Sequence, residues 1–247
     1  MATPFLVLVL IHLVIAISTK MEISPMEGQY PKLIVFSQHG MSDGNYAMES
    51  LAKKVAPPES KIIAPYLGSL PSFVPDRFRF SIETHFAIAP LIQKVAKSAE
   101  QTFQDYPYIP ARIIATSLGG VIWVEVLSRH PEWWNRIESL ILLGSPIGGA
   151  DVAKIMSAWG FRIGMAKHLS EDRRYLAEKI AAVVPTLVVA GHIIGGWDLI
   201  VTVESTKIKH AHFVCLNGVN HSDLRTHPRV VQSIQEFWAN PRNPLQI

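Results

Sequence analysis

Short apolar runs alternate with longer stretches of helical spacing along most of the chain. Lys32–Ser37, Lys61–Pro65, Ala111–Thr116, Ser139–Leu143, Thr186–Ala190 and His212–Leu216 are rich in Val, Ile, Leu and Phe. They read as strands, most of them covered on both faces. Between them, Tyr46–Val55, Phe86–Tyr106, Gly119–Arg129, the region 151–182 and Pro228–Trp238 read as helices. In Phe86–Tyr106 the apolar positions are Ile88, Leu91, Ile92, Val95, Ala96, Ala99 and Phe103, one stripe of a helix. Residues 66–80, rich in Pro, Phe and Arg, read as a loop. Strands alternating with helices predict an α/β fold, a mainly parallel sheet with helices on both faces. Such sheets bind ligands beyond the carboxyl ends of their strands.

Composition narrows this picture. A chain of 247 residues suits one α/β domain, and 49% hydrophobic against 17% charged residues excludes disorder. The net charge of +3 is scattered: Lys53–Lys54, Arg173–Arg174 and Lys207/Lys209 read as solvated faces. No basic stripe interleaved with aromatics points to nucleic acid. The single cysteine, Cys215, lies in an apolar run and reads as a small core residue. No H-E-x-x-H, paired-cysteine, G-x-x-x-x-G-K-[ST] or G-x-G-x-x-G motif is present, which disfavours metal- and nucleotide-dependent chemistry.

The N-terminus breaks the pattern. Phe5–Ile17 is apolar apart from His12, and Ala16 and Ser18 supply small residues at cleavage-site spacing. Residues 1–18 therefore read as a signal peptide or membrane anchor, with 19–247 as the folded domain and the protein secreted or membrane-associated. The missing basic residue before the run, and its richness in Val, Ile and Leu, leave a native strand in a cytoplasmic protein as the alternative.

The candidate chemistry falls at strand ends. The strand Ala111–Thr116 runs straight into Ser117, and a helix follows at once. A nucleophilic serine on a sharp strand-to-helix turn needs small residues two before and two after it, and Ala115 and Gly119 meet that need. An ordinary turn with Ser117 as helix cap is the competing reading. A serine hydroxyl needs a base. His221 follows the last strand, while His227, just before Pro228, reads as a capping residue. A carboxylate must orient the histidine. Asp198, after the strand Thr186–Ala190, gives the order Ser–Asp–His; Asp151, after the preceding strand, is the rival, with a helix N-cap as its simpler role. Glu204 reads as structural, at the start of a helix. Acyl transfer also needs oxyanion donors, and the backbone N–H groups of Leu118 and Met41 are the candidates. Gly40 lets that backbone approach substrate, and His39 supports the loop.

Together, Gln38-His39-Gly40, Ala115-Thr116-Ser117-Leu118-Gly119-Gly120, Leu143-Gly144-Ser145-Pro146, Asp198, Val203-Glu204-Ser205-Thr206 and Asn220-His221-Ser222 resemble the α/β-hydrolase superfamily, closest to its lipase- and esterase-like branch. The resemblance spans about 32–240. Two features depart from the usual pattern: alanine replaces glycine at 115, and the first two strands of the fold are missing unless residues 5–17 supply one. The resemblance implies hydrolysis of a small-molecule or lipid ester through an acyl-enzyme, without a cofactor. An acyltransferase, thioesterase or amidase, or a non-catalytic binding protein on the same fold, remain the alternatives. Residues 151–182, with Ile155, Met156, Trp159, Phe161, Ile163 and Met165, either cap the site or form two core-facing helices, and Phe73, Phe78 and Phe80 are candidates to line the acyl side.

Overall fold

The computed structural model describes residues 30–41, 44–67, 88–151 and 163–240. The readings placed on 1–18, on 68–80 and on 152–162, including the aromatic residues of those segments, lie outside the described residues. The chain divides at Pro31 into two units, and every element below belongs to Lys32–Ile247.

In chain order the elements are β1 (Leu33–Gln38), α1 (Asn45–Val55), β2 (Ser60–Ile63), α2 (Ile88–Asp105), β3 (Ala111–Thr116), α3 (Leu118–Arg129), β4 (Ile137–Leu143), α4 (Ile163–Ser170), α5 (Arg174–Ala181), β5 (Thr186–His192), α6 (Val203–Thr206), β6 (His212–Asn217) and α7 (Pro228–Ala239). The six strands form one sheet in the order β2-β1-β3-β4-β5-β6, every neighbouring pair parallel. Among the described residues the first strand in chain order is the one that leads into His39-Gly40.

Period-two alternation splits the strand side chains between two cores. Ile34, Phe36, Ile113, Ala115, Leu140 and Leu142 pack with α2, α3 and α5 on one face. Leu33, Val35, Ile114, Ile141, Leu143 and Val189 pack with α1 and α7 on the other. This double burial explains the near-continuous apolar runs of the central strands. Among the described residues no helix is long and apolar enough to cross a membrane.

The topology also creates a switch point. Chain leaving β1 goes to β2 on one side, whereas β3 lies on the other, so the loops after β1 and β3 diverge and open a crevice. Strand register aligns the ends that bound it: Gln38 stands opposite Ala115, Thr116 opposite Leu143, and Leu143 opposite Val189.

Two expectations are corrected. Cys215 is exposed, not a core residue, because β6 is the edge strand and its apolar run is only half covered. Arg173 does not belong to a solvated face. Its side chain is 5% exposed and donates to Glu125 on α3 (2.7 Å), to Glu171 (2.7 Å) and to the carbonyls of His168 and Glu171. A planar guanidinium with several donors suits this joint between α4, α5 and α3. Burial raises the Glu125 carboxyl, but hydrogen bonds and charge from Arg173 and then Arg129 outweigh it, so Glu125 titrates below its ordinary value. A depressed carboxylate contributes stability above its unfolded value, and that contribution is lost as pH falls through the folded one. Glu125→Leu is therefore expected to cost about 1.5–3 kcal/mol near neutrality by removing one of the two carboxylates that pair with the buried Arg173 guanidinium, Glu171 remaining. Urea unfolding at pH 7 and pH 3 checks it: the deficit relative to wild type should shrink at the lower pH.

Candidate active site

Ser117 ends β3 with φ 54° and ψ −126°, a left-handed conformation that costs a non-glycine residue about 1–3 kcal/mol. Two neighbours hold it there. The Ser117 N–H donates to Leu143 O (2.9 Å), and the Gly120 N–H donates to Ser117 O (3.1 Å). Small residues make the turn feasible. A Cβ on Gly119 would lie 2.7 Å from His39 O and 2.8 Å from Gln38 O, so α3 can start here only because position 119 is bare. Ser117 occupies the cap position of α3, yet its side chain caps nothing. Its Oγ is buried, the residue being 3% exposed, with no hydrogen-bond partner among the described residues. The helix-cap reading thus fails: the hydroxyl is held in a strained turn and spent on no structural bond.

Asp198 and His221 meet on the far side of the β4 loop. His221 Nδ1 lies 2.8 Å from Asp198 Oδ2. The other carboxylate oxygen, Oδ1, accepts from the N–H groups of Ile200 (3.0 Å) and Val201 (2.7 Å), and the His221 N–H donates to Asp198 O (3.0 Å). Asp198 is thereby fixed in one orientation at 1% exposure, and a carboxylate facing Nδ1 places the ring proton there. His221 pairs with Asp198 and not with Asp151, which is exposed at the end of the β4 loop. His227 caps α7, its ring accepting from the Arg229 N–H (3.2 Å). Glu204 lies in the first turn of α6 and pairs with Lys207 (2.9 Å).

Gly144, at φ +54°, joins the two halves. Its N–H donates to Val189 O, its preceding carbonyl holds Ser117, and a Cβ on it would stand 3.2 Å from His221 Nδ1 and 3.3 Å from Asp198 Oδ2. The structure thus brings Asp198 and His221 into contact and sets Ser117 at the same carboxyl end of the sheet; it does not join Ser117 to His221 by a hydrogen bond.

The loop after β1 covers the serine from the other side. A Cβ on Gly40 would fall 2.9 Å from Ser117 Cβ and 3.4 Å from its Oγ. Met41 is buried beside it, Leu118 is the first residue of α3, and among the described residues the N–H of neither donates a hydrogen bond. His39 braces this loop: Nε2 accepts from the Leu67 N–H (3.0 Å) and Nδ1 donates to Gly40 O (2.8 Å). Gln38 adds a bond from its amide to Pro65 O (3.1 Å). These ties between the β1 and β2 loops, like the carboxylate's bonds to Ile200 and Val201, had no sequence signal beyond the polar residues themselves. Gly40→Ala is expected to displace Ser117 and to lower any activity that depends on its hydroxyl about 100-fold, with the circular dichroism spectrum retained.

No sequence-family model matches the chain, and no curated protein does. Solved structures do match. The mature form of the lipase BlEst2 from Bacillus licheniformis superposes with a TM-score of 0.55 at 14% identity, over 85% of this chain and 94% of that one. The structure reported for LipS and LipT, two metagenome-derived lipolytic enzymes, gives 0.59 at 11% identity, over 85% and 93%. A thermophilic esterase from Thermogutta terrifontis gives 0.53 at 16% identity, over 85% and 90%. The chain has the α/β-hydrolase fold. The turn that carries Ser117 and the loops that carry Asp198 and His221 lie at the carboxyl end of the sheet.

Proposed function

We propose that the protein is a serine hydrolase that cleaves carboxylic esters through an acyl-enzyme. The observation that carries this reading is Ser117 itself: a buried hydroxyl on a strained turn, committed to no structural bond, at the same carboxyl end of the sheet as a fixed Asp198–His221 pair. In the reaction, His221 Nε2 takes the Oγ proton as Ser117 attacks the ester carbonyl. Asp198 holds the ring in the Nδ1–H form and stabilises the imidazolium that results. The N–H groups of Met41 and Leu118 receive the oxyanion. The imidazolium then protonates the departing alcohol, and water attacks the acyl-enzyme by the same route in reverse. No cofactor enters these steps. The fold neighbours named as lipases and esterases support an ester as substrate.

A p-nitrophenyl ester series from acetyl to palmitoyl tests the reading. Hydrolysis is expected, and its dependence on chain length sets the size of the acyl group. Turnover of thioesters or amides with none of oxygen esters would move the protein to a different acyl-transfer class. No turnover and no labelling by a fluorophosphonate would leave a binding protein.

A further inference from the structure

Leu199, the residue after Asp198, sits at φ +83°. Glycine adopts that region freely, whereas a leucine there is strained. Its side chain is 46% exposed, so burial in the core does not hold it in place. Hydrogen bonds hold it, and they converge on the acid.

The chain around Leu199 folds back on itself as a small hairpin. Trp197 forms an antiparallel bridge with Thr202, and the Asp198 N–H donates to Val201 O (3.0 Å). Leu199 and Ile200 are its two-residue tip. A positive φ at the first tip residue lets so short a tip reverse the chain. In an ordinary hairpin the Val201 N–H would return to Asp198 O. Here it donates to Asp198 Oδ1 (2.7 Å), and the Ile200 N–H joins it (3.0 Å). The exchange frees Asp198 O to accept from the His221 N–H (3.0 Å). Every polar atom of Asp198 except Oδ2 is thus committed to backbone, and Oδ2 faces His221 Nδ1 at 2.8 Å. Below the acid the strand is bare. A Cβ on Gly191 would fall 3.0 Å from Asp198 Cβ and 2.5 Å from Val219 O.

With a negative φ at 199 the tip could not close. The N–H groups of Ile200 and Val201 would swing away from Oδ1 together, and the carboxylate would be free to turn about its side-chain torsions. We propose that Leu199 is a positioning residue, whose left-handed backbone aims the two N–H groups that lock the Asp198 carboxylate on His221. It acts through its backbone and through Asp198. That the locked carboxylate serves ester hydrolysis rests on the reading of the reaction given above.

Three substitutions in the full chain test this. Proline fixes φ at about −65° and removes no hydrogen bond, because among the described residues the Leu199 N–H donates none. Valine, being β-branched, resists a positive φ more than leucine does. Glycine adopts it without strain. With p-nitrophenyl acetate, Leu199→Pro is expected to lower kcat about 100-fold and Leu199→Val about tenfold, with KM little changed. Leu199→Gly should restore kcat to the wild-type level, with the thermal midpoint unchanged or raised. In an Asp198→Ala background the proline and valine changes should cost almost nothing further, since the group they act through is gone. A residue that only supports the loop would lower turnover equally in both backgrounds.

The nitrogen-15 spectrum of the His221 ring gives a readout apart from turnover. The Nδ1–H form should hold in the wild type and in Leu199→Gly and give way to a mixture in Leu199→Val and Leu199→Pro. Wild-type kcat in both of those variants, or equal losses with and without the Asp198 carboxylate, overturns the proposal. If Leu199→Pro does not fold, Leu199→Val decides the matter alone. If no ester is turned over while the ring tautomer follows the substitutions as expected, the reaction is misread and the role of Leu199 stands.

Discussion

Ser117→Ala is expected to lower kcat for a carboxylic ester by about 10⁶-fold, the order of loss when the nucleophile of a serine triad is removed. The magnitude follows from what the turn supplies. The strained backbone at φ 54° presents the hydroxyl, and Gly40 and Gly119 let the flanking loops close on it. Alanine at 117 leaves that scaffold intact and deletes the attacking atom alone. The variant should fold, and its stability should rise or stay level, because the lost Oγ is a buried polar atom with no partner among the described residues. A fluorophosphonate should label the wild-type chain at this residue and leave the variant unlabelled. Labelling that persists in Ser117→Ala would place the nucleophile elsewhere. Combining Ser117→Ala with His221→Ala should cost little more than either change alone, since the two groups act as one unit.

Asp198→Asn is expected to reduce turnover about 10⁴-fold, close to 5 kcal/mol of transition-state stabilisation. The carboxylate performs two tasks. Oδ1 is held by the N–H groups of Ile200 and Val201, and Oδ2 faces His221 Nδ1. An amide keeps the first bond only if its oxygen stays at Oδ1, which turns its NH₂ toward the histidine. The ring must then accept at Nδ1 and carry its proton at Nε2, the tautomer that cannot take a proton from Ser117. Fold and substrate affinity should change little, so the loss should appear in kcat. Asp151→Asn, at an exposed position away from this pair, should leave turnover near wild type; the reverse result would reassign the acid.

Much of this was legible in the sequence. A strand buried on both faces must be nearly continuous in Val, Ile and Leu, and a helix packed on a sheet must repeat every three to four residues. Those two periods located β1, β3, β4 and α3 to within a residue or two, and with them the polar residues at their ends. Ser117 stood out because an apolar strand runs straight into it, and His221 and Asp198 because they follow later strands in the chain order Ser–Asp–His. Local pattern failed where covering elements come from far along the chain. Arg173 looked like its neighbour Arg174, but its burial is set by Glu125 on α3, forty-eight positions away. Cys215 looked like core because its run is apolar, but among the described residues no strand lies beyond β6.

The sequence by itself determined the strand-and-helix order, the small residues around Ser117, and the chain order Ser117, Asp198, His221. Those are local or one-dimensional properties, and hydrophobic period and residue size are sufficient to encode them. Only the tertiary structure decided that the Asp198 carboxylate lies against His221, that the Ser117 hydroxyl has no hydrogen-bond partner among the described residues, and that Ile194 and Leu199 are exposed. Each of those depends on distances between segments far apart in sequence. Such distances are fixed by the parallel register of β3, β4 and β5 and by the backbone hydrogen bonds of the loops beyond them, and no single stretch of chain contains them.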